Sequence, residues 1–481
     1  MPAPIILGGA EGANITLEPS LANRHGLISG ATGTGKTVSM QVLAESFSRL
    51  GVPVFLPDIK GDLSGISRAG KAHKNIDARL AAMQIPDFAF AGNPVRLWDL
   101  TGAKGIPVRL SISDLGPQLL ARLLDLNTIQ ESILSIIFDY ADDQGLLLLD
   151  LNDLTTSLNF VQQNAKELQA EYGRVSAASV AAIKRRLLLL QQENLSNFFG
   201  EPALDFGDLI AQQNGAGVIN ILDASTLMQS PKTYAVFLLW LMSELYEHLP
   251  EVGDPEKPVM VLFFDEAHLL FNNTPKVFVE KIEQIVRLIR SKGVGIYFVS
   301  QSPGDIPDNI LGQLSNRIQH ALRAYTPKER KAVRVAAQSF RPNPALDTEQ
   351  VIAELGVGEA LVSTLETGGI PAVVQRTLMA PPRSKIGPIS QTQYKELIRG
   401  DTLLSKYATT LDPESAHEIL LKRQAKMAER AELETQKSKK SNRRGSSRQS
   451  VGEAFMKSIA RSFGSGLGRK LVRGLLGSLL K

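Results

Sequence analysis

The spacing of apolar and polar positions predicts an open α/β core with a helical interruption. Strand-length apolar runs at 14–19 and 26–29 lead into a glycine-rich loop, residues 37–50 carry apolar side chains at helical spacing, and 52–56 is again a strand-length run. Strand, loop, helix, strand is a βαβ unit, the local mark of a parallel sheet with helices on its faces. Residues 59–105 show little periodicity and read as an excursion holding one helix near 76–83, after which 108–112 is expected to rejoin the sheet. From 114 to 209 the period becomes helical, at 119–126, 131–141, 151–171 and 177–192. Strand patterns resume at 217–222, 259–264, 295–300, 317–322 and 359–364, with a hairpin return at 370–379. Residues 380–390 read as a linker, 412–435 as a charged helix with little apolar face, and 436–450 as a disordered Ser/Lys/Arg-rich segment.

Composition narrows the classes. The 481 residues exceed one ordinary domain, and 43% hydrophobic with 21% charged residues is a soluble globular balance. Zero cysteines rule out disulfide frameworks, thiolate metal sites and thiol catalysis, and suit a reducing compartment. The first thirty residues lack the basic start and apolar stretch of a secretory signal, and no apolar run reaches spanning length, so a cytoplasmic location is expected. The net charge of +4 is unevenly placed: residues 437–481 hold twelve Lys and Arg against one Glu, leaving the rest of the chain net acidic.

Chemistry enters at residues 30–37, GATGTGKT, which satisfy G-x-x-x-x-G-K-[ST], the P-loop or Walker A pattern. Gly30, Gly33 and Gly35 allow the turns through which successive N–H groups, with Ala31, Thr32, Thr34 and Val38 completing the loop and helix start, surround a phosphate. The following helix offers its positive end to the same anion. Lys36 is expected at the β- and γ-phosphates of ATP, and Thr37 on Mg²⁺. The apolar run 259–264 ends in Asp265, Glu266, Ala267 and His268, a Walker B-like arrangement. Two carboxylates then lie at the carboxyl edge of the sheet, where Asp265 would hold hydrated Mg²⁺ and Glu266 would polarise the attacking water. His268 is either a coupling group or a plain helix-start histidine. Gln301, at the end of a third strand, is a candidate to orient water; the alternative is a solvated loop amide.

GATGTGKT, a distant FFDEAH and RSKGVGIYFVSQSP (290–303) together resemble the HerA/FtsK branch of P-loop ATPases, and within it the HerA-like helicase/translocase family. The resemblance covers residues 5–379. It implies a P-loop NTPase core of mainly parallel sheet flanked by helices, ATP and Mg²⁺ as cofactors, a homo-oligomeric ring, a hexamer by analogy, and DNA as the transported partner, or in some relatives a protein. It also places Arg290 where the family carries an arginine finger, a role suited to a permanently charged fork acting across a subunit boundary; a cation at a helix C-terminus is the alternative. Arg317 is a second candidate. Asp58, in DIKGDLSG, is either a nucleotide-edge carboxylate or a turn former. The DEAH string also names a class of RNA helicases, but VSQ stands in place of their Ser-Ala-Thr strand end and their arginine-rich motif is missing.

The expected organisation is a first part of the ATPase core at 1–112, an all-α insertion at 113–210, the second part of the core at 211–380, a helical extension at 381–435, a basic linker at 436–450 and an amphipathic basic tail at 451–481. In that tail Phe455, Ile459, Phe463, Leu467, Leu471, Leu475 and Leu479 repeat every fourth residue among cations, a pattern suited to an acidic membrane surface, nucleic-acid phosphates or an accessory protein. Its glycines weaken an isolated helix, so folding on binding is expected.

Overall fold

The computed structural model describes residues 2–441 apart from Gln84, 193–194, 226–229 and Asn273; the amphipathic tail lies outside the described residues. The chain divides into two compact units, residues 1–108 with 204–408, and 109–203 with 409–481. Among the described residues no helix is long and apolar enough to cross a membrane.

The first unit is built on a twelve-stranded sheet. Its order is Ala13–Leu17, Ile5–Ala10, Gln375–Met379, Glu359–Ser363, Asn316–Gln319, Gly26–Ser29, Val294–Ser300, Met260–Phe264, Val54–Asp58, Ile219–Asp223, Val95–Asp99 and Ile106–Pro107. From Asn316–Gln319 to Ile106–Pro107 every neighbour is parallel, and the other four strands extend the sheet antiparallel. The central strands are buried along their whole length, as parallel strands covered on both faces must be. Helix Lys36–Arg49 covers one face, packing Met40, Leu43, Ala44 and Phe47 into a core with Val54, Leu56, Phe263 and Tyr297. Because these strands run the same way, Ser29, Asp58, Phe264, Ser300 and Gln319 all end on one edge, where the site forms.

Several elements depart from the sequence expectation. Strands Ile5–Ala10 and Val95–Asp99 were not anticipated. The chain rejoins the sheet at Ile106–Pro107 and not at 108–112, because Ser111 already caps the next helix through a reciprocal box with Asp114. Residues 380–390 are an ordered strap and not a free linker: the buried Glu45 carboxylate accepts from the Arg383 N–H at 2.7 Å and from the Ser384 hydroxyl at 2.7 Å, and Gln41 donates to Ser384 at 2.7 Å.

The second unit is helical. Helices Ile112–Leu123, Thr128–Asp143 and Leu151–Gln163 each start at a capping box, and Ala177–Gln192 packs Val180, Ile183, Leu187 and Leu190 inward. The helix expected over 151–171 breaks at Asn164, whose side chain donates to the Phe160 carbonyl at 2.8 Å, and resumes as Ala165–Tyr172. Helix Ala416–Ser441 lies against Leu151–Gln163, with the buried Asp153 carboxylate accepting from Ser415 and from the His417 N–H. It continues through 436–441, where disorder was expected.

Candidate functional site

The glycine-rich loop leaves the buried strand Gly26–Ser29 and opens helix Lys36–Arg49. Gly30, Gly33 and Gly35 all take positive φ, at 152°, 79° and 115°. At Gly30 the requirement is doubled, since a Cβ there would sit 2.5 Å from Cβ of His320. The loop is fixed from outside by Ala31 N–H donating to Ala321 O at 2.8 Å and by Gly358 N–H donating to Thr34 O at 2.9 Å. Internally, Thr34 donates to Ala31 O at 2.7 Å. The Lys36 ammonium is buried and donates to Gly30 O at 2.5 Å and Ala31 O at 3.1 Å, so it lies inside the loop that it is expected to serve. Thr32 and Gly33 are exposed at the loop tip, and Thr37 and Val38 are half-buried on the first turn.

Met260–Phe264 runs one strand beyond Val294–Ser300, itself the neighbour of Gly26–Ser29, so the acidic pair and the glycine loop share the carboxyl edge. Asp265 and Glu266 are both buried. Glu266 adopts φ 48°, a left-handed conformation that costs a non-glycine residue on the order of 1 kcal/mol or more. The turn is held by Tyr234, whose hydroxyl donates to Asp265 O at 2.9 Å, and by Glu266 N–H donating to Asp265 Oδ1 at 2.9 Å. Three side chains converge on the Glu266 carboxylate: Lys60 Nζ at 3.2 Å, His268 Nδ1 at 3.3 Å, and Gln301 Nε2 at 3.5 Å, the outer edge of hydrogen-bond range. Gln301 is aimed by Asp305, which accepts from Ser300 Oγ at 2.6 Å and Ser302 N–H at 2.8 Å.

Electrostatics tie these groups together. Burial pushes the Asp265 carboxyl up to about 6, the Lys60 charge opposing and the Glu266 charge adding to the rise. Burial and then the neighbouring Lys60 charge lower the Lys36 pKa, against the pull of Glu266, Asp265 and Asp305. Burial disfavours the charged form of Lys60, but Asp265 and Glu266 outweigh it and raise its pKa. Two lysines and two acids therefore bear on one another's charge at this edge of the sheet. Among the described residues no cluster of three or more His, Cys, Asp or Glu forms a metal site. Mg²⁺ needs no such cluster, being held by one or two protein oxygens together with substrate phosphates, and Thr37 with Asp265 fits that donor set.

The remaining candidates are separated from this group. Arg290 precedes the first residue of Val294–Ser300, while Gln301 follows its last, so the two lie at opposite edges of the sheet, about 20 Å apart along a strand of that length. The Arg290 guanidinium contacts Asp254 at 3.3 Å. Arg317 is enclosed by main chain, donating to Leu314 O, Ser339 O and Leu311 O. Asp58 is a turn former: it accepts from the N–H groups of Gly61, Asp62 and Leu63, and burial pushes its carboxyl up to about 6 against those donors. Asp223 and Asp99, in register with it on the next two strands, fasten their own loops likewise, through Ser225 and through Thr101 and Lys104.

Two residues of the site escaped the sequence reading. Lys60 sits inside DIKGDLSG, where the aspartate drew attention instead. His320 reads as one more core position of a strand, yet it forms the back wall of the loop.

Comparison with known proteins gives the chain its family. The model of the Helicase HerA-like C-terminal family matches residues 5–481. The chain belongs to this family. The HerA-like chain is 23% identical over 369 residues to the DNA double-strand break repair helicase HerA of Sulfolobus acidocaldarius, covering 74% of this chain and 66% of that protein. It thus spans just under two thirds of that relative's length. Against the protein of the same description from Saccharolobus solfataricus the identity is 20%, covering 77% of this chain and 68% of that one. In fold the HerA-like chain is similar to VirB4 of Thermoanaerobacter pseudethanolicus, with a TM-score of 0.50 at 15% identity over 82% of this chain and 99% of that one. The plasmid coupling protein TrwB, in complex with a non-hydrolysable GTP analogue, matches at a TM-score of 0.48 and 13% identity, covering 79% and 92%.

Proposed function

We propose that this protein is an ATP-hydrolysing motor that assembles as a ring and moves DNA. The observation that carries the reading is the meeting of Lys36 with Asp265 and Glu266 on one sheet edge, in a chain of the HerA-like family. Loop N–H groups and the helix start hold the phosphates, and Lys36 exchanges its carbonyl partners for phosphate oxygens. Thr37 and Asp265 would hold Mg²⁺, which would supply neutralisation of the negative charge on the phosphates. Glu266 accepts a proton from the water whose oxygen bonds to the γ-phosphorus while the bond to the bridging oxygen breaks, leaving ADP and phosphate. Gln301 orients that water. Arg290, far from its own loop, serves the site of a neighbouring subunit.

The test is ATP turnover by the full chain, alone, with duplex DNA and with anionic liposomes, beside Lys36→Ala. Stimulation by DNA but not by liposomes is expected, with turnover lost in Lys36→Ala. Stimulation by liposomes alone would replace the DNA reading with one in which the motor acts at a membrane surface or on protein. Wild-type turnover in Lys36→Ala would remove the ATPase assignment itself.

A further inference from the structure

Lys60 is a permanently charged group at the site that the proposed hydrolytic scheme leaves without a task. Its backbone is fixed, because the Asp58 carboxylate binds the N–H groups on the far side of the same turn, at Gly61, Asp62 and Leu63. Its side chain is not: it is 41% exposed and reaches Glu266 Oε1 at 3.2 Å from a four-carbon arm. Lys36, Asp265, Glu266 and Asp62 are the charged groups that it feels or that feel it. Glu266 does not depend on Lys60 alone, since His268 and Gln301 also reach its Oε2.

We propose that Lys60 is a γ-phosphate-sensing residue that divides its ammonium between Glu266 and the terminal phosphate of a bound triphosphate. The inference rests on the ATPase reading and adds to it a link between two events. A terminal phosphate carries more negative charge and more acceptor oxygens than a carboxylate, so it draws the ammonium off Glu266. The carboxylate, still oriented by His268 and Gln301, is then free to take a proton from water. A diphosphate leaves the γ position without an acceptor, and the Lys60–Glu266 pair persists. Engagement of the third phosphate and readiness of the base are thereby one equilibrium.

Competition of this kind is read in binding, without turnover. Fluorescent ATP and ADP analogues with Mg²⁺ are titrated into full-length wild type, Lys60→Met, Glu266→Gln and the double variant. Lys60→Met is expected to keep ADP affinity within about twofold and lose roughly tenfold or more of its ATP affinity, the usual worth of a hydrogen bond to a charged group. Glu266→Gln, which removes the competing partner, is expected to tighten ATP several-fold over ADP, and the double variant to lose that gain. An unchanged ATP-to-ADP ratio in Lys60→Met, or the same tightening with and without Lys60, overturns the inference while leaving the ATPase reading intact. If wild type binds neither nucleotide, both fall together.

Discussion

Nε2 of His320 lies 2.9 Å from the hydroxyl of Ser39, one turn into the helix that the phosphate loop opens. Nδ1 faces the Glu359 carbonyl at 2.9 Å and so carries the proton, which leaves Nε2 to accept from Ser39. The ring is a neutral brace between the loop helix and the strand Glu359–Ser363.

Acid should therefore loosen this brace. Burial first, with the Lys36 and Arg79 charges adding to it against backbone hydrogen bonds, lowers the His320 pKa to about 4, and burial does the same to His25, with Arg290 adding. A histidine whose folded pKa lies below its unfolded value takes up protons on unfolding, so its contribution is complete above pH of roughly 6.5 and lost as pH falls towards 4. Each ring is expected to remove on the order of 3 kcal/mol across that window. Asp58 and Asp265, whose carboxyls are raised to about 6, gain stability over the same acid range, so the histidine share is read as the difference between wild type and His320→Gln in urea midpoints at pH 7.5 and 5.0; an equal pH dependence in both proteins contradicts it.

Gly30 and Gly33 are predicted to differ sharply when replaced by alanine. At Gly30 the new methyl meets Cβ of His320 at 2.5 Å as well as an unfavourable φ, a combined cost of about 2–4 kcal/mol. At Gly33 nothing lies within 4 Å, and only the left-handed backbone opposes the change, by about 1 kcal/mol. Chemical denaturation of the two variants side by side measures the gap, and equal losses would refute the packing argument.

Arg79, on the helix Lys74–Ala82, donates to the carbonyls of Val357, Gly358 and Met379, and Gly358 in turn donates to Thr34. Arg79→Met should cost on the order of 2 kcal/mol and weaken nucleotide binding, because the clamp that steadies the loop is released. Lys at this position cannot span three carbonyls and should rescue little. Retention of full ATP affinity in Arg79→Met, measured with the fluorescent analogue, counts against this linkage.

Arg290→Ala should lower turnover at saturating ATP by roughly a hundredfold or more while changing nucleotide affinity little. The decisive measurement mixes Arg290→Ala with Lys36→Ala, two inactive proteins. In a shared ring, a site with an intact Lys36 can receive Arg290 from its neighbour, so activity returns. A mixture that stays inactive, with mixed assembly verified, denies Arg290 a role between subunits.

What the sequence disclosed was what it writes in short continuous strings. GATGTGKT and FFDEAH carry their own strand and helix context, so the loop, the acidic pair and the α/β class could be read directly. The strand Ile5–Ala10 was hidden by Gly8 and Gly9, which break its apolar alternation; Gly8 is there because a Cβ would strike Leu378 O at 2.2 Å on the adjoining strand. Val95–Asp99 is too short to stand out after a long aperiodic stretch, and its burial comes from pairing with Ile219–Asp223, far along the chain. Lys60 had no visible partner, since Glu266 lies more than two hundred residues away and only the sheet order makes them neighbours. Arg317, by contrast, offers the same letter as Arg290 but spends its donors on main-chain carbonyls, which no motif records.

The aligned aspartates Asp58, Asp223 and Asp99 give the nucleotide rim a modular construction. Each crossover is latched at its root by the acid that ends its own strand, and the roots are tied to one another, Ala224 N–H donating to Asp58 O and Lys104 reaching Asp223 and Ser225. Insertions placed beyond these latched roots can then lengthen a segment while the rim itself keeps its shape, so a single scaffold can acquire new attachments while the chemistry next door stays in place.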